Sequence, residues 1–289
     1  MANGWLIYSK QDSIENKAYI EWFIEEARIQ EITLQLVLRE EIIIGVIENK
    51  HSLMFRGKKV ELPNFAVVRT VEPLLNLQLE QLGIIVFNSS YVSEICNHKA
   101  KTYYKVAQLG IPMIDTIYIK GTNLTIEAPM TYPFVIKEAM GRGGKQVYFI
   151  SNINEWDRFL TAALSADYVV QSTNVKLGKD LRVFVVGKEI IGAVLRENST
   201  DFRANFKLGG SARLYKLSME EIDLIQKIIR HFDFGMVGID FLIGHDNKLL
   251  FNEIEDVVGS RTLSAVSDVN IVERYVSYMK TIINQDSIN

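Results

Sequence analysis

Two apolar, β-rich runs flank the turn-forming residues His245-Asp246-Asn247-Lys248 in the stretch Val237 to Glu255, VGIDFLIGHDNKLLFNEIE. With Asp246 and Asn247 as the central residues of a two-residue loop, the hairpin register is fixed and Asp240 faces Glu253 across the strands. Glu255 lies two residues on and shares that face. Ile239, Phe241, Ile243, Leu250 and Ile254 then line one side, and Leu242, Leu249 and Phe251 the other. Strands that are apolar on both faces belong inside a covered sheet, where a carboxylate without a partner is disfavoured. Directly opposed carboxylates, with Cβ atoms roughly 4.5 to 5.5 Å apart, repel one another unless a cation lies between them. Oxygen-only ligands of this kind suit magnesium or manganese rather than zinc. The competing reading is three solvated carboxylates at a hairpin end.

At 48% hydrophobic and 23% charged residues, the 289-residue chain is expected to be an ordinary globular protein of two or three structural units. A formal net charge of −3 supplies no electrostatic footprint for a polyanion, so no nucleic-acid partner is expected. Apolar runs such as Ile42 to Ile44 are short, and MANGWLIYSK has no basic segment followed by a long apolar one. Neither a signal peptide nor a membrane span is therefore expected. Cys96 is the sole cysteine, which excludes an intrachain disulfide and fits a reducing, cytoplasmic setting. His51, His98, His231 and His245 have no i, i+4 metal spacing.

Along the chain, Trp5 to Tyr8, a helix over Gln11 to Arg28 and a strand over Thr33 to Val37 open a βαβ unit. Strands near Ile42 to Val46 and Phe65 to Val68, a helix from about Glu72 to Leu82 and the run Ile84 to Phe87 continue the alternation, which predicts a small parallel sheet. A helix from about Asn97 to Leu109 follows. PFVIK (Pro133 to Lys137) and QVYFI (Gln146 to Ile150) read as a hairpin with a mobile tip containing Gly141, Arg142, Gly143, Gly144 and Lys145. Glycines there let backbone N–H groups approach phosphate oxygens, and a plain flexible turn is the alternative. Asn152 to Leu164 reads as a helix and Tyr168 to Gln171 as a strand. In GKDLR, Asp180 and Arg182 put two charges on one face of an apolar strand. Ser218 and Glu221 form a capping box for a helix ending near Phe232, and Val269 to Ile283 is an amphipathic closing helix.

Taken in order, the helix carrying Lys99, PFVIK with Lys137, the glycine-rich hairpin, VVQST, GKDLR, DFRAN, GG, GIDFL and NEIE resemble the ATP-grasp superfamily, and most closely its RimK-like branch of carboxylate-amine ligases. The resemblance covers about Asn88 to the C-terminus. It implies an α/β (α+β) architecture, an ATP-grasp fold preceded by a small parallel-sheet N-terminal domain. The units expected are 1–90, then a central subdomain over 91–166 and a C-terminal subdomain over 167–289. It further implies ATP with Mg2+, or Mn2+, as cofactors. Lys99 and Lys137 would hold nucleotide phosphates, and Gly141, Arg142, Gly143 and Gly144 would lie in the flap above them. Ser172 and Thr173 would hold adenine and Asp180 ribose. Arg203, Ala204 and Asn205 match the nucleotide-contacting triplet, with Arg196 beside the transferred group, and Asp240, Glu253 and Glu255 match the metal ligands. Three positions depart from the pattern. Gln171 opens a hinge where the family commonly has glutamate, Glu255 replaces the usual asparagine, and His98 stands where an acidic residue often precedes the first lysine.

The activity implied is ATP-dependent joining of a carboxylate to an amine through an acyl phosphate. The partners implied are small-molecule acids and amines or a peptide or carrier protein, with a homo-oligomer open. Phosphoryl transfer requires charge neutralisation and positioning more than a covalent nucleophile, which this residue set can supply. The rival readings are a nucleotide-binding regulator that kept the fold without turnover, and a kinase that stops at phosphoryl transfer.

Overall fold

The structure is a computed structural model that describes residues 2–141, 146–163, 166–204 and 210–286. The first unit is a parallel sheet in the order β2-β1-β5-β6, built from β1 (Asn3–Tyr8), β2 (Thr33–Leu38), β5 (Phe65–Val68) and β6 (Ile85–Phe87). β1 and β5 are buried along most of their length because helices cover the sheet, as parallel pairing requires. The run at Ile42 to Val46 does not join this sheet. It forms β3 (Ile42–Ile47), which pairs antiparallel with β4 (Lys50–Phe55) as a separate hairpin. Glu48 and Asn49 between them have positive φ, the turn geometry that reverses the chain locally before it can cross over.

The helix expected over Gln11 to Arg28 is two helices, α1 (Lys10–Glu15) and α2 (Lys17–Ile29), broken at Asn16. Ser9 caps α1 through the Asp12 N–H, and the Asn16 side-chain amide donates to the Asp12 carbonyl at 2.8 Å. α3 (Pro73–Gln81) starts with proline at its first position and stops before Gly83, whose φ of 80° is the left-handed end favouring glycine. α4 (Ser90–Cys96) and α5 (Lys99–Ala107) follow, with His98 capping α5 so that Lys99 opens its first turn.

Two further sheets face each other across a cleft. The smaller, in the order β7-β10-β8-β9, comprises β7 (Thr116–Ile119), β8 (Phe134–Glu138), β9 (Val147–Ile150) and β10 (Tyr168–Ser172). α6 (Ile153–Ala162) covers its back, burying Trp156 and Phe159 against Phe134, Ile136, Tyr168 and Val170. Strand alternation therefore turns Val135 and Lys137 the other way, into the cleft. The larger sheet, β13-β12-β11-β14-β15, comprises β11 (Lys179–Val186), β12 (Glu189–Glu197), β13 (Ser211–Leu214), β14 (Met236–Ile243) and β15 (Leu249–Glu255). α7 (Met219–His231) carries the expected Ser218/Glu221 capping box.

After α8 (Arg261–Val266), the closing helix α9 (Ile271–Asp286) returns to the first unit. It packs Tyr275 against Phe23 of α2 and Phe87 of β6, and Val272, Val276 and Met279 join the same core. Asn88 is the polar knot of this junction. Its amide donates to the carbonyl of Met236 at 3.0 Å and to Asp256 Oδ1 at 2.6 Å, while its oxygen accepts the Gly235 N–H at 2.5 Å. Asn88→Ala would leave several buried polar groups unpartnered at ~1–3 kcal/mol each. Urea denaturation should therefore show a loss of about 3 kcal/mol, and an unchanged midpoint would refute this account of the junction.

Candidate active site

The two sheets enclose about 1010 Å³ of space, including its solvent-open mouth. Its inner end is an apolar slot of Ile114, Val135, Val147, Val175 and Leu242. Hinge residues Gln171, Ser172 and Thr173 border it. Gln171 is buried and donates to Thr116 Oγ1 at 3.1 Å, and Thr173 Oγ1 donates to the Pro133 carbonyl at 2.9 Å. A slot walled by aliphatic side chains and edged by backbone suits a flat heterocycle.

The other end is ionic. Lys137 enters from the smaller sheet, Lys99 from the start of α5, and Asp180, Arg182, Arg196, Asp240, Glu253 and Glu255 from the larger sheet. Lys99 Nζ donates to the Gly141 carbonyl at 2.5 Å and lies 3.9 Å from Glu253. Lys137 Nζ donates to Asn252 Oδ1 at 2.9 Å. Burial lowers the Lys137 ammonium to about 8, with Glu253 raising it and Lys99 lowering it further. On β11, Asp180 and Arg182 share a face, and Arg182 pairs with Asp240 on β14. The result is an alternating chain of charge. Arg196 binds both Asp180 oxygens at 2.6 and 2.8 Å and reaches Asp240 at 2.9 Å. Arg182 binds both Asp240 oxygens at 2.7 and 2.6 Å and pairs with Glu255. Burial pushes the Asp240 carboxyl up, and the two guanidinium groups outweigh it, holding it at about 2. For Asp180, burial prevails over Arg196 and the carboxyl is raised.

The hairpin register pairs Asp240 with Glu253 as expected, but by a different route. The loop has three residues, closed by Gly244 N–H to the Lys248 carbonyl at 2.9 Å, with Asn247 at φ 65°. That moves the pairing by one residue, so Phe241 faces Phe251 and Ile243 faces Leu249. A bulge at Asn252 inserts one residue and restores the register at Asp240. Leu249 and Phe251 consequently share the core side with Ile239 and Phe241, and Leu250 shares Leu242's side, the reverse of the two-residue-loop expectation. The bulge also delivers Asn252 to the cleft, a residue not singled out from sequence; its place within NEIE was the available signal.

Arg182, read from the sequence only as one of two charges on an apolar strand, received no role there. Its guanidinium is the cation that relieves the carboxylate repulsion, in the place expected of a metal ion. Gly238, directly beside Glu255, leaves the room: a Cβ there would lie 3.5 Å from Arg182 Cδ. Among the described residues no group of three His, Cys, Asp or Glu side chains is arranged to hold an ion. Asp240 has a side chain only 2% exposed and both oxygens bound by arginine, whereas Glu253 and Glu255 are 36% and 32% exposed. Two hard, partly exposed carboxylates at the cleft are a donor set that fits magnesium, which commonly takes one or two carboxylates and completes its shell with other oxygen ligands. Arg203 binds Asp201 and borders the cleft with buried Ala204. Arg142, Gly143, Gly144 and Asn205, with the expected mobile tip, lie outside the described residues.

A family model for the RimK-like ATP-grasp domain matches residues 96–279, and the chain belongs to that family. It is an ATP-dependent carboxylate-amine ligase, as its named relatives are ligases and synthases. A glutamate–LysW ligase, ArgX, of Sulfurisphaera tokodaii is 28% identical over 213 residues, 70% of this chain and 75% of its own. Human N-acetylaspartylglutamate synthase A is 29% identical over 252 residues, 80% of this chain and 63% of its own. The ATP-grasp ligase PsnB, solved with a phosphomimetic variant of its minimal precursor, Mg and ADP, shares the fold at TM-score 0.70 and 15% identity, covering 97% and 98% of the two chains. Among the described residues no helix is long and apolar enough to cross a membrane.

Two outcomes test this electrostatic account. Asp240→Asn leaves Arg182 and Arg196 buried without their shared anion, so chemical denaturation should show a loss of ~3–5 kcal/mol. Lys137 is depressed to about 8 in the folded protein, against about 10.4 unfolded. The folded state then binds fewer protons between those values, and stability from this residue rises with pH across that window, its cost being full below about 8. A pH series of melts in which Lys137→Met has the same slope as the parent over that window would contradict this.

Proposed function

We propose that the cleft binds ATP with its base in the apolar slot and its phosphates between Lys99, Lys137 and the Arg182–Arg196 ladder. Glu253 and Glu255 would hold magnesium, which when bound neutralises phosphate charge. The carboxylate substrate attacks the γ-phosphorus, giving an acyl phosphate and releasing ADP. The amine then attacks the acyl carbon, phosphate leaves and the amine loses a proton. The observation that carries this reading is the arrangement of Lys137 on one sheet and Lys99 at the start of α5 around the carboxylates and arginines of the other sheet. Transfer of this kind needs fixed charge on both sides of the phosphoryl group, with no protein nucleophile. The named relatives transfer glutamate to LysW or make an acetylated dipeptide, which supports an amino acid, peptide or carrier-borne amine as one partner.

ADP release should require both an added carboxylate and an added amine. Release with the acid alone at full rate favours a kinase. Lys137→Ala should weaken ATP binding by about 10-fold or more through loss of a charge-assisted contact. Glu253→Gln should reduce turnover roughly 10²-fold while the metal-free melting temperature holds or rises, because one of the facing negative charges is gone. Near parental turnover of Glu253→Gln at low magnesium would refute the proposed ion site.

A further inference from the structure

Outside the cleft, Arg69 is a buried guanidinium that has no acidic partner among the described residues. Arg69 directly follows β5, at the carboxyl end of the N-terminal parallel sheet, and is 8% exposed. Its Nη2 donates to the Val258 carbonyl at 2.7 Å, its guanidinium also hydrogen-bonds the Tyr8 side chain and lies near the Tyr275 hydroxyl, and it stands 5.7 Å from the Tyr19 ring centroid. Nε is buried without a hydrogen-bond partner, as are the hydroxyls of Tyr19, Thr70 and Thr262. Among the described residues no carboxylate lies within ion-pair distance of it. Every other fully buried guanidinium discussed above is held by aspartate or glutamate. A buried guanidinium without an acid, its Nε and the hydroxyls of neighbouring Tyr19 and Thr70 unpartnered, is costly to the free protein, and such a cost is characteristic of groups kept for a ligand.

The surroundings define what that ligand would be. The orphaned nitrogen is a donor, the hydroxyls can donate, and a planar guanidinium matches a carboxylate best. The position also fits, because ligands of parallel sheets bind outside the carboxyl ends of the strands. The Val258 loop links this point to the reaction cleft. A Cβ at Gly238 would meet Val258 Cγ2 at 2.8 Å and Arg182 Cδ at 3.5 Å, so a single residue layer separates the Arg69 neighbourhood from Arg182. The same loop begins at Glu255 and carries Thr262 into α8.

We infer that Arg69, with Thr70 and Thr262, receives the non-reacting carboxylate of an amino-acid-sized acidic substrate, holding it against the loop that follows Glu255. This rests on the ligase reading above and adds to it the residue outside the cleft that selects a second carboxylate on the substrate. Binding exchanges the Val258 contact for, or adds to it, a two-pronged pair with the guanidinium.

Calorimetry on the full chain with Mg-ADP tests it, using L-glutamate and L-aspartate as probes and L-isoglutamine and L-glutamine as partners lacking one carboxylate. The parent protein should bind an acidic probe and lose at least ~10-fold in affinity when the recognised carboxylate becomes an amide. Arg69→Met should show the same loss for the acidic probe with Mg-ADP affinity unchanged, and Arg69→Lys an intermediate one. The probe-free melting temperature of Arg69→Met should hold or rise, whereas a purely structural arginine would lower it. Acidic probes that fail to bind the parent, or that bind Arg69→Met equally well, overturn the assignment. A parent that releases ADP with an acid and an amine while Arg69→Met shows unchanged KM overturns it without touching the ligase reading; no ADP release from any pair fails the ligase reading itself.

Discussion

Asp240 carries a carboxylate almost wholly out of water, and it stays ionised there because Arg182 and Arg196 both bind it. Each arginine in turn holds a second acid, Glu255 or Asp180, so charge alternates across four neighbouring strands. Taken singly, any of these groups would be expensive to bury; together they offset one another. The consequence for chemistry is a floor of fixed, oriented charge beneath the cleft. On the proposed reading, guanidinium groups already locked by carboxylates would need no rearrangement to receive a phosphoryl group, the condition under which electrostatic stabilisation is most effective.

The opposing wall is simpler. Lys137 sits on β8 with its neighbours Phe134 and Ile136 facing the α6 side, so a single strand alternation separates the small core from the charged surface. Lys99 arrives from a helix start and is tied by its side chain to the Gly141 carbonyl, next to the glycine-rich segment. Asn252 joins the walls by accepting from Lys137. Among the described residues the Lys137 ammonium donates to Asn252 alone, which leaves it donors for a ligand in the cleft.

The hairpin shows how a correct pairing can rest on an incomplete reason. Asp240 faces Glu253 because a three-residue loop and a bulge at Asn252 compensate exactly one residue each. Turn chemistry in HDNK permits either loop, and nothing local in FNE announces the extra residue. The choice is made where Phe251 must turn inward to meet Phe241 and Tyr103 in the core, a packing requirement set by distant residues. The helix break at Asn16 and the separate β3–β4 hairpin were hidden for a related reason: periodicity runs through both, and the hydrogen bonds that interrupt it are side-chain and turn contacts.

By itself the sequence determined the family, the alternation of strands and helices, the two lysines, and the carboxylates that gather at the end of β14 and β15. Those features depend on residue type at short spacing, which strand alternation and helix caps translate directly into position. Tertiary structure alone decided what neutralises the carboxylates, since Arg182 and Arg196 reach Asp240 from other strands. It also decided that α9 closes back on the N-terminal unit and that Arg69 is buried with no acidic partner among the described residues. Long side chains crossing between strands, and helices returning over a hundred residues or more, are set by packing that no local pattern encodes.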